Sequence, residues 1–101
     1  MITVVYRVVA KEGQSRNLEN IISDFVQCAH ESPDCIYYTF FKSISNSLEY
    51  LVYYRFTTKL AQDEHIKNLQ SKVGPPRNGR DLPEKFLDLL DQEELVLFED
   101  K

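Results

Sequence analysis

The chain has 101 residues, enough for one domain, and its 43% hydrophobic and 28% charged residues exclude a disordered or fibrous protein. Its net charge of −4 argues against nucleic-acid binding, because there is no overall basic field to displace counterions. No apolar run approaches the ~18 residues that a membrane-spanning helix needs, so we expect no membrane partner. Residues 1–10 contain Arg7 and no cleavage site of small residues, which predicts a cytoplasmic protein without a signal peptide.

The hydrophobic pattern of the first half predicts three strands and one helix. Residues 2–10 are β-branched on both faces, which is typical of a strand covered on both sides. Apolar residues alternately three and one apart predict an amphipathic helix over 14–31, and Pro33 follows its end. The aromatic-rich segments 35–42 and 49–57 predict the second and third strands.

The second half predicts two short helices and a last strand. The first of these helices spans 59–69, and its predicted inward residues are Leu60, Ile66 and Leu69. A loop with Gly and Pro at 74–80 follows, and then a helix that Asp81 caps, with Pro83 in its first turn. The predicted apolar face of that helix is Phe86, Leu89 and Leu90. The last strand is predicted over 94–99.

The element order β-α-β-β-α-β predicts an α+β, ferredoxin-like fold with a four-stranded antiparallel sheet. Its first and third strands lie at the centre, and its helices cover one face only. Because the two central strands are apolar on both faces, the uncovered face needs a partner. The pattern therefore predicts a homodimer in which two sheets pair face to face.

Cysteine usage predicts no disulfide framework and no metal site. Cys28 and Cys35 are the only two cysteines, and we expect both to be reduced thiols. The sequence has no CxxC motif and no Cys/His cluster with zinc-ligand spacing.

Three segments resemble the antibiotic biosynthesis monooxygenase (ABM) domains: MITVVYRVVAKEGQ, SPDCIYYTFF and YLVYYRFTTKLAQDEHIKN. The resemblance extends over residues 1–101 as a single ABM-like domain, except 74–80, which is similar to an inserted loop. It implies a dimeric α/β barrel. It also implies oxidation of an aromatic molecule by O₂ with no metal, flavin or other cofactor. Other members degrade haem or isomerise small phosphorylated sugars, so the fold alone does not fix the reaction.

The resemblance also implies the site residues. His65 matches the family's histidine on the helix after the third strand, and it is the predicted catalytic proton acceptor. Tyr38 matches the family's second-strand tyrosine, and Phe56 stands where many members have Trp. Val52 stands where the polyketide oxidases have Asn. The remaining histidine, His30, is better explained as a favourable cation at a helix C-terminus.

The resemblance implies that the face of the third strand that carries Phe56 lines a substrate cavity, with Tyr6 of the first strand facing it. The predicted substrate-binding residues are Tyr6, Tyr38, Val52, Tyr54 and Phe56. Tyrosine and phenylalanine walls suit a flat apolar molecule whose oxygens are fixed by phenol groups. For each of these residues, plain packing in the core or in a dimer is the alternative. Haem degradation is disfavoured, because the Asn, Trp and later His of the haem-degrading relatives are missing.

Two functions of different class remain open, and a third function has weaker support. The first is a cofactor-independent monooxygenase of a small phenolic or quinol-like molecule. The second is a non-catalytic dimeric module that binds a small ligand or serves a stress response. The third is an isomerase of a small phosphorylated compound, which the six Lys and Arg residues of 55–80 would suit, although scattered surface charge usually serves solubility. The loop 74–80 is either a lid or a tolerated insertion.

Overall fold

The computed structural model describes residues 1–100, and its strands and helices follow the predicted order, including both helices of the second half. The elements are β1 (Ile2–Ala10), α1 (Ser15–His30), β2 (Cys35–Lys42), β3 (Glu49–Phe56), α2 (Lys59–Lys72), α3 (Glu84–Leu87) and β4 (Leu90–Glu99). The strands form one antiparallel sheet in the order β2-β3-β1-β4. This confirms the ferredoxin-like α+β prediction, with β1 and β3 at the centre. None of the helices in residues 1–100 is long and apolar enough to cross a membrane.

One face of the sheet, called here the covered face, packs against the helices. Along β1, Val4, Tyr6 and Val8 are buried, and strand pairing places Tyr54, Val52 and Tyr50 of β3 directly beside them. The core residues that meet this face from the helices are Leu18, Ile22 and Phe25 of α1, Leu69 of α2 and Phe86 of α3. The Phe86 ring lies 4.9 Å from Phe25 and 6.0 Å from Tyr6, centroid to centroid. Burial of this face is the main hydrophobic contribution to the fold.

The other face, called here the open face, has no helix of residues 1–100 on it. Pairing registers place Val5 of β1, Leu51 and Tyr53 of β3 and Val96 of β4 on this side. Leu51 and Val96 are exposed, and Val5 and Tyr53 are only half-buried. The prediction that β1 is covered on both sides therefore holds for one face of the single chain. The tyrosines divide between the two faces: Tyr6, Tyr38, Tyr50 and Tyr54 point to the covered face, and Tyr37 and Tyr53 to the open one.

Helix α1 agrees with its predicted bounds to within one residue at each end. Its buried stripe includes Leu18, Ile22 and Phe25, which is the predicted helical spacing. His30 occupies the last turn, where a cation is favoured by the helix dipole. Both cysteines are free thiols; Cys28 is buried and Cys35 is half-buried.

Helix α2 corrects the sequence-based prediction in its inward face and in its end. It continues to Lys72, and its N-terminus is capped by Thr58, whose Oγ1 accepts a hydrogen bond from the Ala61 amide at 3.1 Å. Leu69 is buried as predicted and Ile66 is partly buried, but Leu60 is 68% exposed, so its inward assignment is wrong. The buried positions are Ala61, Gln62, His65 and Leu69. Two of them are polar because they face tyrosine hydroxyls on the sheet.

The segment before the last strand also differs from the prediction. Helix α3 has only four residues, and Asp81 does not cap it: Pro83 stands at the N-cap position, where no side chain provides a capping bond. An extended bridge between Pro76 and Pro83 holds the chain here, and it delays the helix until Glu84. Strand β4 begins at Leu90, four residues earlier than predicted, so Leu90 belongs to the sheet.

Candidate functional site

A cavity of about 620 Å³ lies between α2 and the covered side of β4. Pairing with β1 places Leu95 beside Tyr6 and Leu97 beside Val4, so both leucines point to the covered side. They nevertheless remain 41% and 40% exposed, because no helix packs over this part of the strand. The apolar wall consists of Leu60, Ile66, Leu82, Leu95 and Leu97. The polar wall consists of Lys59, Gln62, Asp63, Lys67, Gln70, Arg80, Asp81 and Glu93.

A three-residue network joins this wall to the core. The buried Tyr6 hydroxyl donates to Glu93 Oε1 at 2.8 Å, and Arg80 Nη2 donates to the same oxygen at 2.6 Å. Burial, followed by the bond to Glu93, strongly raises the pKa of Tyr6, so its hydroxyl stays protonated and remains a donor. The bond to Glu93 also raises the pKa of Arg80. The cavity therefore has a carboxylate and a guanidinium at fixed positions on one side.

Gln62 connects the cavity to the tyrosines of the sheet. Its side chain is 5% exposed and lines the cavity, and its Nε2 donates to the Tyr54 hydroxyl at 3.4 Å. Burial raises the pKa of Tyr54 to about 12, although the bond from Gln62 acts in the opposite direction. Tyr54 is therefore a neutral phenol at physiological pH.

His65 lies one layer deeper, among aromatic rings. Its Nε2 is 3.3 Å from the Tyr38 hydroxyl, and its ring is 5.1 Å from that of Phe56. The Tyr38 and Tyr54 rings are stacked, with centroids 4.4 Å apart and planes 9° from parallel. Burial lowers the pKa of His65 to about 4, so the imidazole is neutral at pH 7 and can accept a proton.

The structure brings together four of the six residues that the sequence suggests for the site: Tyr38, Tyr54, Phe56 and His65. Val52 and Tyr6 lie beside each other on the same covered face, as paired residues of β3 and β1. Within residues 1–100, none of the six lines the cavity directly; Tyr6 reaches it through Glu93, and Tyr54 through Gln62. Their roles in catalysis or binding stay predictions.

Sequence reasoning missed the polar residues of the cavity wall. Glu93 lies just before the predicted last strand, and Arg80 was grouped with scattered surface charge. Gln62 carried no signal in the sequence except its place on α2. The basic segment itself is largely compensated, since Lys59, Lys72 and Arg80 pair with Asp63, Glu31 and Glu93 at 2.5–2.6 Å, and Arg77 pairs with Asp88. Across residues 1–100, no group of three or more His, Cys, Asp or Glu side chains could hold a metal ion.

Residues 1–73 match the protein family described as antibiotic biosynthesis monooxygenase. The chain belongs to this ABM family. The match extends from β1 to the end of α2, and so it includes Tyr6, Gln62 and His65. Arg80 and Glu93, which complete the polar wall, lie beyond it.

Solved structures share the ABM fold at low sequence identity. A Shewanella oneidensis protein has a TM-score of 0.78 at 17% identity, over 96% of this chain and 87% of its own. A conserved Bacteroides thetaiotaomicron protein, described as a possible oxidoreductase, has a TM-score of 0.79 at 16% identity, over 98% and 96%. A protein described as an antibiotic biosynthesis monooxygenase has a TM-score of 0.73 at 15% identity, over 100% and 99%. No curated protein matches the chain. At these identities the likeness shows the fold alone.

Proposed function

We propose that this ABM protein is a cofactor-independent monooxygenase of a small phenolic or quinol-like aromatic molecule, which it binds between α2 and β4. The observation that carries the proposal is the buried, neutral imidazole of His65 behind this cavity. His65 contacts the Tyr38 hydroxyl, the Tyr38 ring stacks on Tyr54, and the Tyr54 hydroxyl accepts from Gln62 in the cavity wall. Family membership, and the similar structures described as a possible oxidoreductase and as an antibiotic biosynthesis monooxygenase, support the same reaction class.

The reaction needs only the substrate, O₂ and a proton acceptor. Removal of a proton from an electron-rich phenol or its keto tautomer gives a carbanion-like phenolate, whose carbon forms a bond to O₂. The resulting hydroperoxide loses water and leaves a carbonyl, so a ring CH₂ and O₂ become C=O and H₂O. All four electrons come from the substrate. A proton acceptor near the reacting carbon is therefore the main contribution required of the protein.

In this proposal His65 accepts the proton once the substrate displaces the Tyr38 hydroxyl from it. Burial lowers the pKa of His65 to about 4, so the free imidazole is unprotonated but weakly basic. An anion forming beside it stabilises the imidazolium and raises that pKa again. Tyr38 and Tyr54 then hold the substrate oxygen through their hydroxyls, and Tyr6, Val52 and Phe56 shape the pocket.

Oxygen uptake with anthrone and with menadiol tests the proposal, after subtraction of the rate without protein. The wild-type protein is expected to consume one O₂ per anthrone. His65→Gln is expected to lower turnover at least a hundredfold, which is the range of a positioned general base. His30→Gln, which changes the exposed histidine at the end of α1, is the matched control and should leave turnover unchanged. Turnover that persists in His65→Gln would contradict the role of His65, and no uptake with any substrate would contradict the monooxygenase itself.

A non-catalytic binding module is the second candidate, and one observation favours it. The Tyr38 and Tyr54 rings are stacked in contact, so the cavity does not reach His65 while they stay in place. A binding module predicts saturable binding of an aromatic molecule with no oxygen uptake. Calorimetric titration together with the uptake assay separates the two functions.

We also propose that two copies pair through their open faces as a homodimer. The open face has a cluster of apolar side chains that are exposed to water in the single chain and that pairing would bury: Tyr37, Phe41, Leu51, Val96 and Phe98. Sedimentation velocity at micromolar concentration should show a dimer, and Val96→Glu should convert it to a monomer. Ile44→Glu changes a fully exposed apolar residue in the β2–β3 loop, away from the open face, and it should leave the dimer intact. A wild-type monomer would contradict the pairing.

The domain proposal is a single ABM-like domain over residues 1–101, with 74–80 as an inserted loop. The family match ends at residue 73, directly before this loop, which supports treating 74–80 as the chain's own feature. Its Arg80 side chain in the cavity wall supports a role at the site over a neutral insertion.

A further inference from the structure

We propose that Arg80 selects a substrate with a single acidic group, so that the natural ligand is an aromatic monoanion such as an aryl carboxylic acid. This deepens the proposed function and rests on its cavity. The acidic group would bind the guanidinium of Arg80, and the aromatic body would lie along Leu95 and Leu97.

The backbone below Arg80 is fixed, although the residue ends a loop. The Arg80 amide donates to the Arg77 carbonyl at 2.8 Å, and the Glu84 amide donates to the Pro75 carbonyl at 2.9 Å. Gln70 of α2 donates from Nε2 to the carbonyl of Asp81 at 2.6 Å. These bonds hold both ends of the turn that carries Arg80, so the side chain projects to the cavity from an ordered support.

The Arg80 guanidinium lines the cavity and has donors that no side chain of residues 1–100 accepts. A guanidinium carries five N–H groups, and among residues 1–100 Arg80 uses one side-chain nitrogen, Nη2, to reach Glu93. Its side chain is 43% exposed. Arginine binds carboxylates through two parallel N–H groups, an arrangement that Glu93 does not occupy.

Glu93 keeps a partner when Arg80 turns to a ligand. Its Oε1 already accepts the hydroxyl of the buried Tyr6, in addition to Arg80. The carboxylate is therefore not left without a donor if the bond to Arg80 lengthens. This lowers the cost of sharing Arg80 between Glu93 and an incoming anion.

The remaining wall sets the rest of the specificity. Leu95 and Leu97 lie on the same side of β4 as Glu93, about 7 and 13 Å along the strand at its usual rise, which fits a flat bicyclic body. Lys59 is paired with Asp63 at 2.5 Å, and Lys67 and Asp81 add one further cation and one further acid to the wall. Cations and acids therefore balance, and the wall favours a monoanion over a phosphorylated ligand.

The test is calorimetric binding of two matched probes, 2-naphthoate and 2-naphthamide, which differ in charge but hardly in shape. The wild-type protein is expected to bind the carboxylate at least tenfold more tightly than the amide. Arg80→Gln should weaken 2-naphthoate at least tenfold and change 2-naphthamide less than twofold, whereas Arg80→Lys should keep part of the preference. Arg77→Gln is the matched control, because Arg77 lies in the same loop, pairs with Asp88 and does not line the cavity. Leu95→Trp fills the cavity and should abolish binding of both probes.

The outcomes separate this proposal from the one on which it rests. Equal wild-type affinity for the two probes, or a preference that survives in Arg80→Gln, would overturn the role of Arg80 and leave the cavity proposal standing. Failure of both probes to bind would overturn both proposals. Arg80-dependent preference without oxygen uptake by any substrate would support the anion site and contradict the monooxygenase.

Discussion

Replacement of His65 by glutamine should remove the part of the pH dependence of folding stability that comes from the buried imidazole. The wild-type side chain is 3% exposed, and burial lowers its pKa from 6.5 to about 4. In the unfolded chain the same imidazole has its ordinary pKa near 6.5. Between these two values the unfolded state binds a proton that the folded state excludes, so acid favours unfolding.

The sign and the size follow from linkage between proton binding and folding. Above about pH 6.5 His65 is neutral in both states and contributes no pH dependence. As the pH falls from 6.5 to about 4, the free energy of unfolding falls by up to 1.36 kcal/mol per pH unit, which amounts to about 3 kcal/mol. Below about pH 4 the imidazole is protonated in both states, and the loss from this group stops growing.

The assay is urea unfolding at pH values from 4 to 7.5 for the wild type and His65→Gln. Glutamine keeps a polar partner for the Tyr38 hydroxyl and does not titrate in this range. The lowered pKa of Glu19 also makes the protein less stable in acid, but it acts on both proteins and cancels in their difference. The difference in unfolding free energy should shrink or reverse by about 3 kcal/mol between pH 7 and 4. A difference that stays constant with pH would refute the buried, neutral state of His65.

Three further predictions concern the packing and the caps around the site. Phe86→Ala should lower the free energy of unfolding by about 3–5 kcal/mol, because this fully buried ring fills the space between α1 and the sheet. Phe86→Leu should cost much less, and equal losses for the two variants in urea titrations would contradict this account of the packing. Thr58→Ala should cost about 1 kcal/mol by removing the N-cap of α2, and Thr58→Ser should restore it in the same assay. Tyr6→Phe should lower the free energy of unfolding by about 1 kcal/mol, because Glu93 keeps its bond from Arg80 and the ring packing is unchanged. A loss above 3 kcal/mol would mean that the network of Tyr6, Glu93 and Arg80 stabilises the fold more than its contacts indicate.

The strands could be predicted because their signal is local, and the inward face of α2 could not. Alternating burial along β3 follows the two-residue period of a strand, so spacing alone places Tyr50, Val52, Tyr54 and Phe56 on one face. In α2 an apolar residue, Leu60, is exposed at the cavity, while Gln62 and His65 are buried. Gln62 and His65 are buried because they bond to tyrosine hydroxyls of β3 and β2, and the spacing of apolar residues along a helix does not predict such contacts.

The polar wall of the cavity depends on strand register, which the sequence does not specify at this point. Tyr6 and Glu93 meet because the edge strand β4 pairs with β1 in a register that places Glu93 beside Val8, two residues along from Tyr6. A register shift between Val9 and Ala10 lies next to this pair. A last strand that begins at residue 94, as predicted, leaves Glu93 outside the sheet. The bridge between Pro76 and Pro83 also makes the helix begin later than predicted, and this changes where Arg80 lies relative to β4. Non-local pairing therefore decided the part of the site that was missed.

The inward tyrosines explain both the rigidity of the site and how it can open. Each hydroxyl on the covered face is bonded to a side chain from an element that lies over or beside it: Tyr6 to Glu93, Tyr38 to His65, Tyr50 to Glu19 and Tyr54 to Gln62. These bonds fix α1, α2 and β4 to the sheet in one register, which phenylalanine at the same positions would not do. In the proposed reaction, the substrate reaches His65 only if two of these bonds, both at 3.3–3.4 Å and both on α2, break and the stacked rings of Tyr38 and Tyr54 move apart. Each bond contributes about 0.5–1.5 kcal/mol, and a bound aromatic ring that packs against the displaced tyrosines would offset part of the cost of opening.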